Sequence, residues 1–270
     1  MYDCHLHTNH SFDAKNTMEE VCRAAVRHGM KGICFTDHLE LNSPNHADPE
    51  HPIDYYIDIE AQKADFLRNK EKYGKSLEMC CGAEVGLHLG MEERIQNAIN
   101  DLKPDFVIGS VHSIDNMDIF VGDLSVGRSK FETYMYYLER TLEIVKTQKC
   151  FNVLGHMDMI LRDKNIADKN MDTVEYHLII DEILKNLIKN GKGIEVNTSG
   201  WRYNLGGPHP HPFIIKRYKE LGGRTITTGS DSHIPESINE GIDRATALLK
   251  DLGFTEVSYF VHGEEQRRKI

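Results

Sequence analysis

The sequence predicts an α/β fold built as one domain over residues 1–270. Short apolar runs typical of β-strands alternate with longer amphipathic patterns typical of helices, which indicates repeated βαβ units and a parallel sheet. There are seven such strand-like runs, and this number favours a closed or nearly closed barrel over an open, doubly wound sheet. Because no segment rich in Pro, Gly or Ser divides the chain, we expect a single domain.

The predicted strands and helices follow one another in order along the chain. The first helix begins at a Thr17-x-x-Glu20 capping box and ends before Gly29. Strands are predicted at residues 2–7, 32–38, 77–85, 106–112, 152–158, 193–198 and 225–229, and helices at 17–28, 58–72, 91–102, 130–147, 173–190, 212–221 and 238–252. The segments 40–53 and 199–211 contain several Pro and His residues and follow the second and sixth strands. We expect them to be loops that wall a site at the carboxyl ends of the strands.

Composition and charge argue against several classes of protein. The formal net charge of −10 argues against nucleic acid as a partner, whereas metal ions and one or two Arg could still bind a small phosphorylated molecule. The six cysteines lack Cys-x-x-Cys spacing, so we expect buried, reduced thiols rather than disulfides. No apolar stretch approaches the roughly 18 residues of a membrane span, and the N-terminus shows no signal peptide. We therefore expect a cytoplasmic protein without membrane contact.

Imidazole and carboxylate side chains recur at the ends of the predicted strands. Residues i and i+2 of a strand point to the same face, so His5 and His7 project together, and the same spacing relates Asp231 to His233. Such ligands suit Zn²⁺, Mn²⁺ or Fe²⁺, and a carboxylate such as that of Glu84 can bridge two ions. The pattern predicts a metal site formed by His5, His7, His38, Glu84, His112, His156, Asp231 and His233.

These strand ends resemble those of the PHP (polymerase and histidinol phosphatase) superfamily. The matching motifs occur in the family's order over almost the whole chain: His5-Leu6-His7-Thr8, Thr36-Asp37-His38, Glu84, Ser110-Val111-His112, Gly155-His156 and Gly229-Ser230-Asp231-Ser232-His233. Within the superfamily, the chain is more similar to the histidinol-phosphate phosphatases. That similarity rests on Gly-Ser-Val-His at 109–112, Glu-Val-Asn-Thr-Ser-Gly at 195–200 and Ser-Asp-Ser-His at 230–233.

The resemblance implies a distorted (β/α)7 barrel with a trinuclear centre of divalent metal ions, Zn, Mn or Fe. It assigns the first ion to His5, His7, Glu84 and Asp231, the second to Glu84, His112 and His156, and the third to His38, His233 and the residue eight positions after the first histidine. That residue is Asp13 here, where some relatives carry His. A carboxylate is a competent ligand, but this departure leaves the occupancy of the third site open.

The implied activity is metal-dependent hydrolysis of a phosphomonoester, expected to be L-histidinol phosphate in histidine biosynthesis. Our hypothesis is that a hydroxide bridging the first two ions at Glu84 attacks phosphorus, while Asp13 or His233 protonates the departing alcohol. Arg162 and Arg202, in loops after the fifth and sixth strands, are predicted to bind the phosphate. Glu40, two residues past His38, could pair with the substrate amine.

Other functions stay open on the sequence alone. The same scaffold could carry a nucleotide phosphatase or an exonuclease, although the net charge of −10 and the lack of a basic stretch weigh against nucleic acid. A non-catalytic metal-binding module is a further alternative, which the complete ligand set disfavours. His10, His46, His51, His209 and His211 are interpreted as loop histidines without a catalytic role. The oligomeric state is left open.

Overall fold

A mostly parallel β-sheet with helices packed around it organises the fold in the computed structural model, which describes residues 1–270. The strands are β1 (Tyr2–Leu6), β2 (Gly32–Phe35), β3 (His38–Ser43), β4 (Ile53–Tyr55), β5 (Glu78–Cys81), β6 (Ala83–Gly86), β7 (Val107–Ser110), β8 (Ser113–Ile114), β9 (Met117–Asp118), β10 (Val153–Leu154), β11 (Gly193–Asn197), β12 (Ile226–Gly229), β13 (Glu256–Val261) and β14 (Glu264–Lys269). The helices are α1 (Met18–Arg27), α2 (Ile59–Tyr73), α3 (Glu92–Leu102), α4 (Lys130–Thr147), α5 (Val174–Lys189), α6 (Ser199–Arg202), α7 (Pro212–Glu220) and α8 (Ile242–Asp251).

The strands form two parallel groups and two small hairpins. One group has the order β12-β11-β10-β7-β6-β3-β4, in which only the β3–β4 pair is antiparallel, and the other has the order β1-β2-β5. The hairpins are β8–β9 and β13–β14. The predicted α/β fold with a parallel sheet is therefore confirmed, whereas closure into a seven-stranded barrel is not.

Two of the predicted strands are each divided into two. The run 32–38 becomes β2 and β3, which belong to different groups, and the run 77–85 becomes β5 and β6 in the same way. The second division falls at Gly82, where a Cβ atom would lie 3.1 Å from Cys34 Sγ and would overlap the carbonyl oxygen of Phe106. This close approach lets the chain pass from one group to the other.

The predicted helices are present, with small differences at their ends. The capping box of α1 is formed in full: the Thr17 side chain accepts from the Glu20 N–H, and the Glu20 carboxylate accepts from the Thr17 N–H at 2.8 Å. The prediction for the last helix was wrong at its start, since α8 begins at Ile242 rather than at residue 238. Asn239 and Gly241 adopt positive φ angles of 65° and 76°, which helical backbone excludes.

The C-terminal hairpin was not predicted. It joins β13 to β14 through a two-residue turn at His262 and Gly263, whose φ angles are 51° and 81°. Positive φ at both positions is the geometry of a tight hairpin turn, but His-Gly is a weaker sequence signal for it than Asn-Gly. The segment 40–53 contains no helix, as expected, although β3 extends into it and β4 begins at its end.

The helices cover the outer face of the sheets with apolar side chains. Ile180, Ile183 and Leu184 of α5 are fully buried in the largest apolar cluster, which also contains residues of α3, α4, α7 and α8. A second cluster joins α1 to β1 and β2. No helix in the structure combines the length and the apolar character needed to span a lipid bilayer. This packing fixes the strands whose carboxyl ends carry the polar cluster described next.

Candidate metal centre and adjoining cavity

The side chains predicted as metal ligands lie together at one edge of the sheets. Each is located on a strand or in the segment that follows it, and the carboxyl ends of parallel strands meet at the same edge. Residues far apart in the sequence are thereby brought into one group. The group consists of His5, His7, Asp13, His38, Glu84, His112, His156, Asp231 and His233.

Glu84, on β6, lies at the centre of this group, and its two oxygens face different imidazoles. Oε2 lies 3.1 Å from Nε2 of His5 and 3.4 Å from Nε2 of His7. On the other side, Oε1 lies 2.8 Å from Nε2 of His156 and 3.2 Å from Nε2 of His112. The carboxylate is thus placed between two pairs of imidazoles, which is the position that a bridging ligand requires.

The Nε2 atoms of His5 and His7 lie next to each other beside Glu84. Nδ1 of His5 lies 2.7 Å from Glu195 Oε1, and a carboxylate only accepts, so Nδ1 carries the proton. Nδ1 of His7 lies 3.1 Å from Ser11 Oγ, whose hydroxyl donates to Asp37. Nε2 of His7 therefore presents a lone pair, and it lies 3.1 Å from Nε2 of His5. Once the His5 ring is neutral, both Nε2 atoms can bind one cation.

The buried oxygen of Glu84 also fits a metal. Oε2 has no hydrogen-bond partner of acceptable geometry, although it is buried. The ligand atoms of His5, His7 and Glu84 all lie within 4.8 Å of one another, and so do those of Glu84, His112 and His156. A set of imidazoles and carboxylates at these separations is a donor set that Zn²⁺, Mn²⁺ or Fe²⁺ accepts.

Three further candidate ligands, His38, His233 and Asp13, lie together, and Asp13 is the most exposed of the three. Its Oδ2 lies 3.1 Å from Nε2 of His233 and 3.5 Å from Nε2 of His38. Asp231 approaches the first pair of imidazoles, with Oδ1 3.6 Å from Nε2 of His7. Its φ angle of 54° is left-handed, a conformation that costs a non-glycine residue about 1–2 kcal/mol. The turn after β12 therefore holds the Asp231 carboxylate at a cost in backbone energy.

Burial and neighbouring charges shift the pKa values of these candidate ligands. Burial raises the pKa of Glu84, but nearby imidazoles, above all His5, outweigh it and hold this pKa well below its usual range. Burial lowers the pKa of His7 well below its usual value, and the neighbouring His233 lowers it further. An ionised carboxylate and a neutral imidazole are the forms that bind a divalent cation. For His5, burial lowers the pKa, but the carboxylates of Glu195 and Glu84 outweigh it and raise the pKa.

A cavity of about 460 Å³ opens onto the cluster. Its wall includes Tyr55 and Phe12, whose rings stack at 4.1 Å, and Phe120 and Tyr203, whose rings meet edge to face at 5.9 Å. The segments 40–53 and 199–211 both contribute to the wall, as expected from their positions after strands. The residues that line it are Phe12, Asp13, His38, Glu40, Ser43, Pro44, Tyr55, Glu84, His112, Asp118, Phe120, His156, Met159, Arg162, Tyr203, Asp231 and His233.

The two arginines predicted to bind phosphate lie in different surroundings. Arg162 lines the cavity, with its guanidinium 4.3 Å above the Tyr203 ring. Arg202 does not line it: its Nη2 donates to the carbonyl oxygens of Ser230 and Asp231 at 3.1 Å and 2.8 Å. The geometry therefore favours Arg162 for contact with an anion in the cavity and relates Arg202 to the turn that carries Asp231.

Glu40 lines the cavity, but its carboxylate is already engaged by two imidazoles. It lies 2.9 Å from Nδ1 of His112 and 3.2 Å from Nε2 of His88, and only 3 % of the residue is exposed. In this position Glu40 orients His112, as carboxylates commonly do for metal-binding histidines. Asp118, at the end of β9, is another carboxylate in the cavity wall, and the imidazole nearest to it is that of the exposed His46, at 3.8 Å.

Several residues that support this site are not among the predicted site residues. Glu195 is one of them, and its spacing of two residues from Asn197 at a strand end is the sequence signal that points to it. Glu195 accepts from the His156 backbone N–H at 3.1 Å and contacts His5, so it joins two of the ligand strands. His209, interpreted as a loop histidine, is fully buried and contacts Arg162 at 3.1 Å.

Comparison with known proteins decides the family. A model of the PHP domain matches residues 3–199. The chain belongs to the PHP domain family. It is 30% identical to the histidinol-phosphatase of Lactococcus lactis subsp. lactis (strain IL1403) over 262 residues, which cover 96% of this chain and 93% of the relative. It is 31% identical to a probable histidinol-phosphatase of Clostridium acetobutylicum over 261 residues, 96% of both chains.

A solved structure extends this similarity to the fold of the PHP-family chain. The crystal structure of histidinol phosphate phosphatase from Lactococcus lactis, complexed with zinc, L-histidinol and phosphate, superposes with a TM-score of 0.89 at 27% identity and covers 98% of each chain. The family identified from the strand-end motifs is thereby confirmed.

Proposed function

We propose that this PHP-family chain is a metal-dependent phosphatase that hydrolyses L-histidinol phosphate to L-histidinol and inorganic phosphate. The observation that carries the proposal is the opening of one cavity onto both the Glu84 cluster and the guanidinium of Arg162. This combination suits a small phosphomonoester. The similarity over nearly the whole chain to a phosphatase complexed with zinc, L-histidinol and phosphate supports the same substrate.

We infer a trinuclear centre in which the ligand groups follow the clusters described above. His5, His7, Glu84 and Asp231 would hold the first ion, Glu84, His112 and His156 the second, and Asp13, His38 and His233 the third. Bound divalent ions would supply Lewis acidity, which lowers the pKa of water and neutralises phosphoryl oxygens. Zn²⁺, Mn²⁺ and Fe²⁺ all fit these nitrogen and oxygen donors.

The side chains that border the cavity would hold the substrate during the reaction. Arg162 presents N–H groups to the phosphoryl oxygens, and its permanent charge offsets theirs. Asp13 and His233 contact each other at 3.1 Å and are the more exposed members of the cluster. This pair would hold the proton that the departing alcohol takes up.

We propose that Asp118, rather than Glu40, pairs with the ammonium group of the substrate. Glu40 already contacts His112 and His88, whereas Asp118 is 30 % exposed in the cavity wall, its Oδ1 accepts only the Val121 N–H at 3.1 Å, and its Oδ2 lies 3.8 Å from the exposed His46 ring. An ammonium ion near Asp118 would gain a charge-assisted hydrogen bond without displacing a candidate metal-binding histidine.

We further propose that the two groups of strands close into a distorted (β/α)7 barrel that forms one domain over residues 1–270. The ends of β1 and β12 support this: the His7 N–H donates to Ser232 O at 2.9 Å, and the Asp231 N–H donates to His5 O at 2.9 Å. β2 leads directly into β3, and β5 into β6, at the other junctions. A crystal structure in which β1 and β12 do not pair would contradict this closure.

The proposed activity is tested by comparing substrates on metal-reconstituted protein. We expect kcat/KM for L-histidinol phosphate to exceed that for other small phosphomonoesters by at least about tenfold, because the cavity offers a carboxylate to the amine. Chelation should abolish turnover, and Zn²⁺, Mn²⁺ or Fe²⁺ should restore it. Glu84→Gln is the matched inactive control. The proposal would be overturned if the protein released nucleotides from a single-stranded oligonucleotide faster than it hydrolysed L-histidinol phosphate, or if turnover survived chelation.

A further inference from the structure

A buried aspartate and histidine lie behind Arg162, outside the cavity wall. Asp158 and His209 are both fully buried. His209 lies in the segment that returns along β11, where its N–H donates to Asn197 O at 2.8 Å and its carbonyl oxygen accepts the Asn197 N–H at 2.6 Å. These backbone hydrogen bonds hold the segment in place, so the side chain of His209 is not needed for that.

The hydrogen bonds of His209 determine which ring nitrogen carries the proton. Arg162 Nε lies 3.1 Å from His209 Nε2, and an arginine side chain can only donate. His209 Nε2 must therefore accept, which leaves the ring proton on Nδ1. Nδ1 lies 2.5 Å from Asp158 Oδ1, and the other oxygen of Asp158 accepts the His211 N–H at 2.8 Å. The Arg162 Nε–H, the His209 Nδ1–H and the His211 backbone N–H thus each have one acceptor.

The contacts of Arg162 leave one edge of its guanidinium free. Nε donates to His209, while Nη2 donates to Ser199 Oγ at 2.6 Å and to Asp231 Oδ2 at 3.1 Å. The Tyr203 ring covers one face of the group. Three of the five N–H groups thus have protein acceptors, and the two on Nη1 have none, although Arg162 lines the cavity.

We propose that His209, oriented by Asp158, is a positioning residue that holds the Nη1 edge of Arg162 toward the phosphoryl group of the substrate. This inference rests on the proposed phosphatase function. Without an acceptor at His209 Nε2, the Arg162 Nε–H is left unpaired in a buried place, and the guanidinium is held through Nη2 alone. It can then turn about the contacts with Ser199 and Asp231, so Nη1 no longer points at a fixed place.

A double-mutant cycle with His209→Leu and Arg162→Lys separates positioning from a purely structural role. Loss of a hydrogen bond to a charged group predicts that His209→Leu lowers kcat/KM for L-histidinol phosphate and weakens binding of inorganic phosphate by about 10- to 100-fold. Competitive inhibition by L-histidinol should not change. In the Arg162→Lys background, the same substitution should cost less than about threefold, since the partner is gone. If the fold losses in kcat/KM and in phosphate binding that the two single variants show multiply in the double variant, the proposal is overturned.

Two further variants control for disturbance of the loop. Gln places an amide oxygen near the position of Nε2, so His209→Gln should recover phosphate binding to within about fivefold of the wild type. His211→Leu, at an exposed histidine in the same segment, should change phosphate binding by no more than about twofold. A His209→Gln variant as weak as His209→Leu would contradict the role of Nε2 as an acceptor.

Nitrogen NMR of the wild-type protein gives a readout that does not depend on whether a variant folds. We expect a neutral His209 ring with the proton on Nδ1, and a proton on Nε2 would overturn the proposal. Phosphate binding also separates this inference from the proposed function. If the wild type fails to hydrolyse L-histidinol phosphate, the proposed function fails, and the cycle measured on the Kd of inorganic phosphate still decides whether His209 acts through Arg162.

Discussion

The contact between Glu195 and His5 offers the sharpest test of the proposed ligand set, because Glu195 touches no substrate and is not itself a proposed ligand. Its Oε1 lies 2.7 Å from His5 Nδ1, and its Oε2 accepts the His156 backbone N–H at 3.1 Å and the Asn197 side-chain N–H at 3.2 Å. Glu195→Gln keeps the size of the side chain but removes the charge and one acceptor oxygen. Because Glu195 is fully buried, bulk solvent does not reach the side chain to replace them.

The size of the effect follows from the hydrogen bonds that are changed. A hydrogen bond to a charged group contributes about 1.5–3 kcal/mol, which corresponds to about 10- to 150-fold in a binding constant. Loss of a carboxylate that orients a metal-binding histidine costs about 10- to 100-fold in metal affinity or activity, which agrees. We therefore expect Glu195→Gln to weaken binding of the first ion, which His5 would hold, by about 10- to 100-fold, and kcat to fall when metal is limiting.

The measurement is Zn²⁺ competition against a chromophoric chelator, with metal content determined on the same samples. Glu182→Gln, which removes a carboxylate from the exposed surface of α5, is the matched control and should leave Zn²⁺ affinity unchanged. The circular dichroism of the metal-free variant shows whether the fold persists. A folded Glu195→Gln protein with wild-type Zn²⁺ affinity and kcat would refute the assignment of His5 Nε2 as a ligand.

Four further outcomes are expected. Asp13→Asn should lower kcat by about 100-fold or more without lowering the melting temperature, since it removes a ligand and proton carrier at a partly exposed position; near-normal turnover would contradict its role. Asp118→Asn should raise KM for L-histidinol phosphate by about tenfold and leave KM for p-nitrophenyl phosphate unchanged. Glu40→Gln should instead lower kcat for both substrates. The reverse pattern would assign the substrate amine to Glu40. Gly229→Ala should weaken Zn²⁺ binding and lower the unfolding free energy by about 1–3 kcal/mol, because the added Cβ overlaps Glu195 Oε1 and His5 Cβ. Unchanged Zn²⁺ affinity would contradict this crowding. Leu184→Ala, at a fully buried core position, should lower the unfolding free energy by about 2–5 kcal/mol in urea titrations, and a loss below about 1 kcal/mol would contradict the packing of α5.

The residues that come together in the candidate metal centre could be picked out because their chemistry is tied to local sequence pattern. His5 and His7 share a strand face through a spacing of two residues, and His112 and His156 each follow a short apolar run. Helix ends were similarly visible, as the formed capping box of α1 shows. The division of the run 77–85 at Gly82 was not visible, since it depends on the close approach of Phe106, the residue just before β7.

The residues that contact the candidate ligands and Arg162 from behind could not be predicted, for a related reason. From the sequence, Arg162 and Arg202 are equivalent, because each follows a predicted strand in a loop. Only the fold brings the partners of Arg162 within hydrogen-bond distance, since Ser199 and His209 are 37 and 47 residues away in the sequence. The charge of an arginine is fixed by its own chemistry, but its direction is fixed by acceptors that other segments supply. A buried histidine with one donor and one acceptor satisfied is therefore informative about function even when its sequence context resembles an ordinary loop.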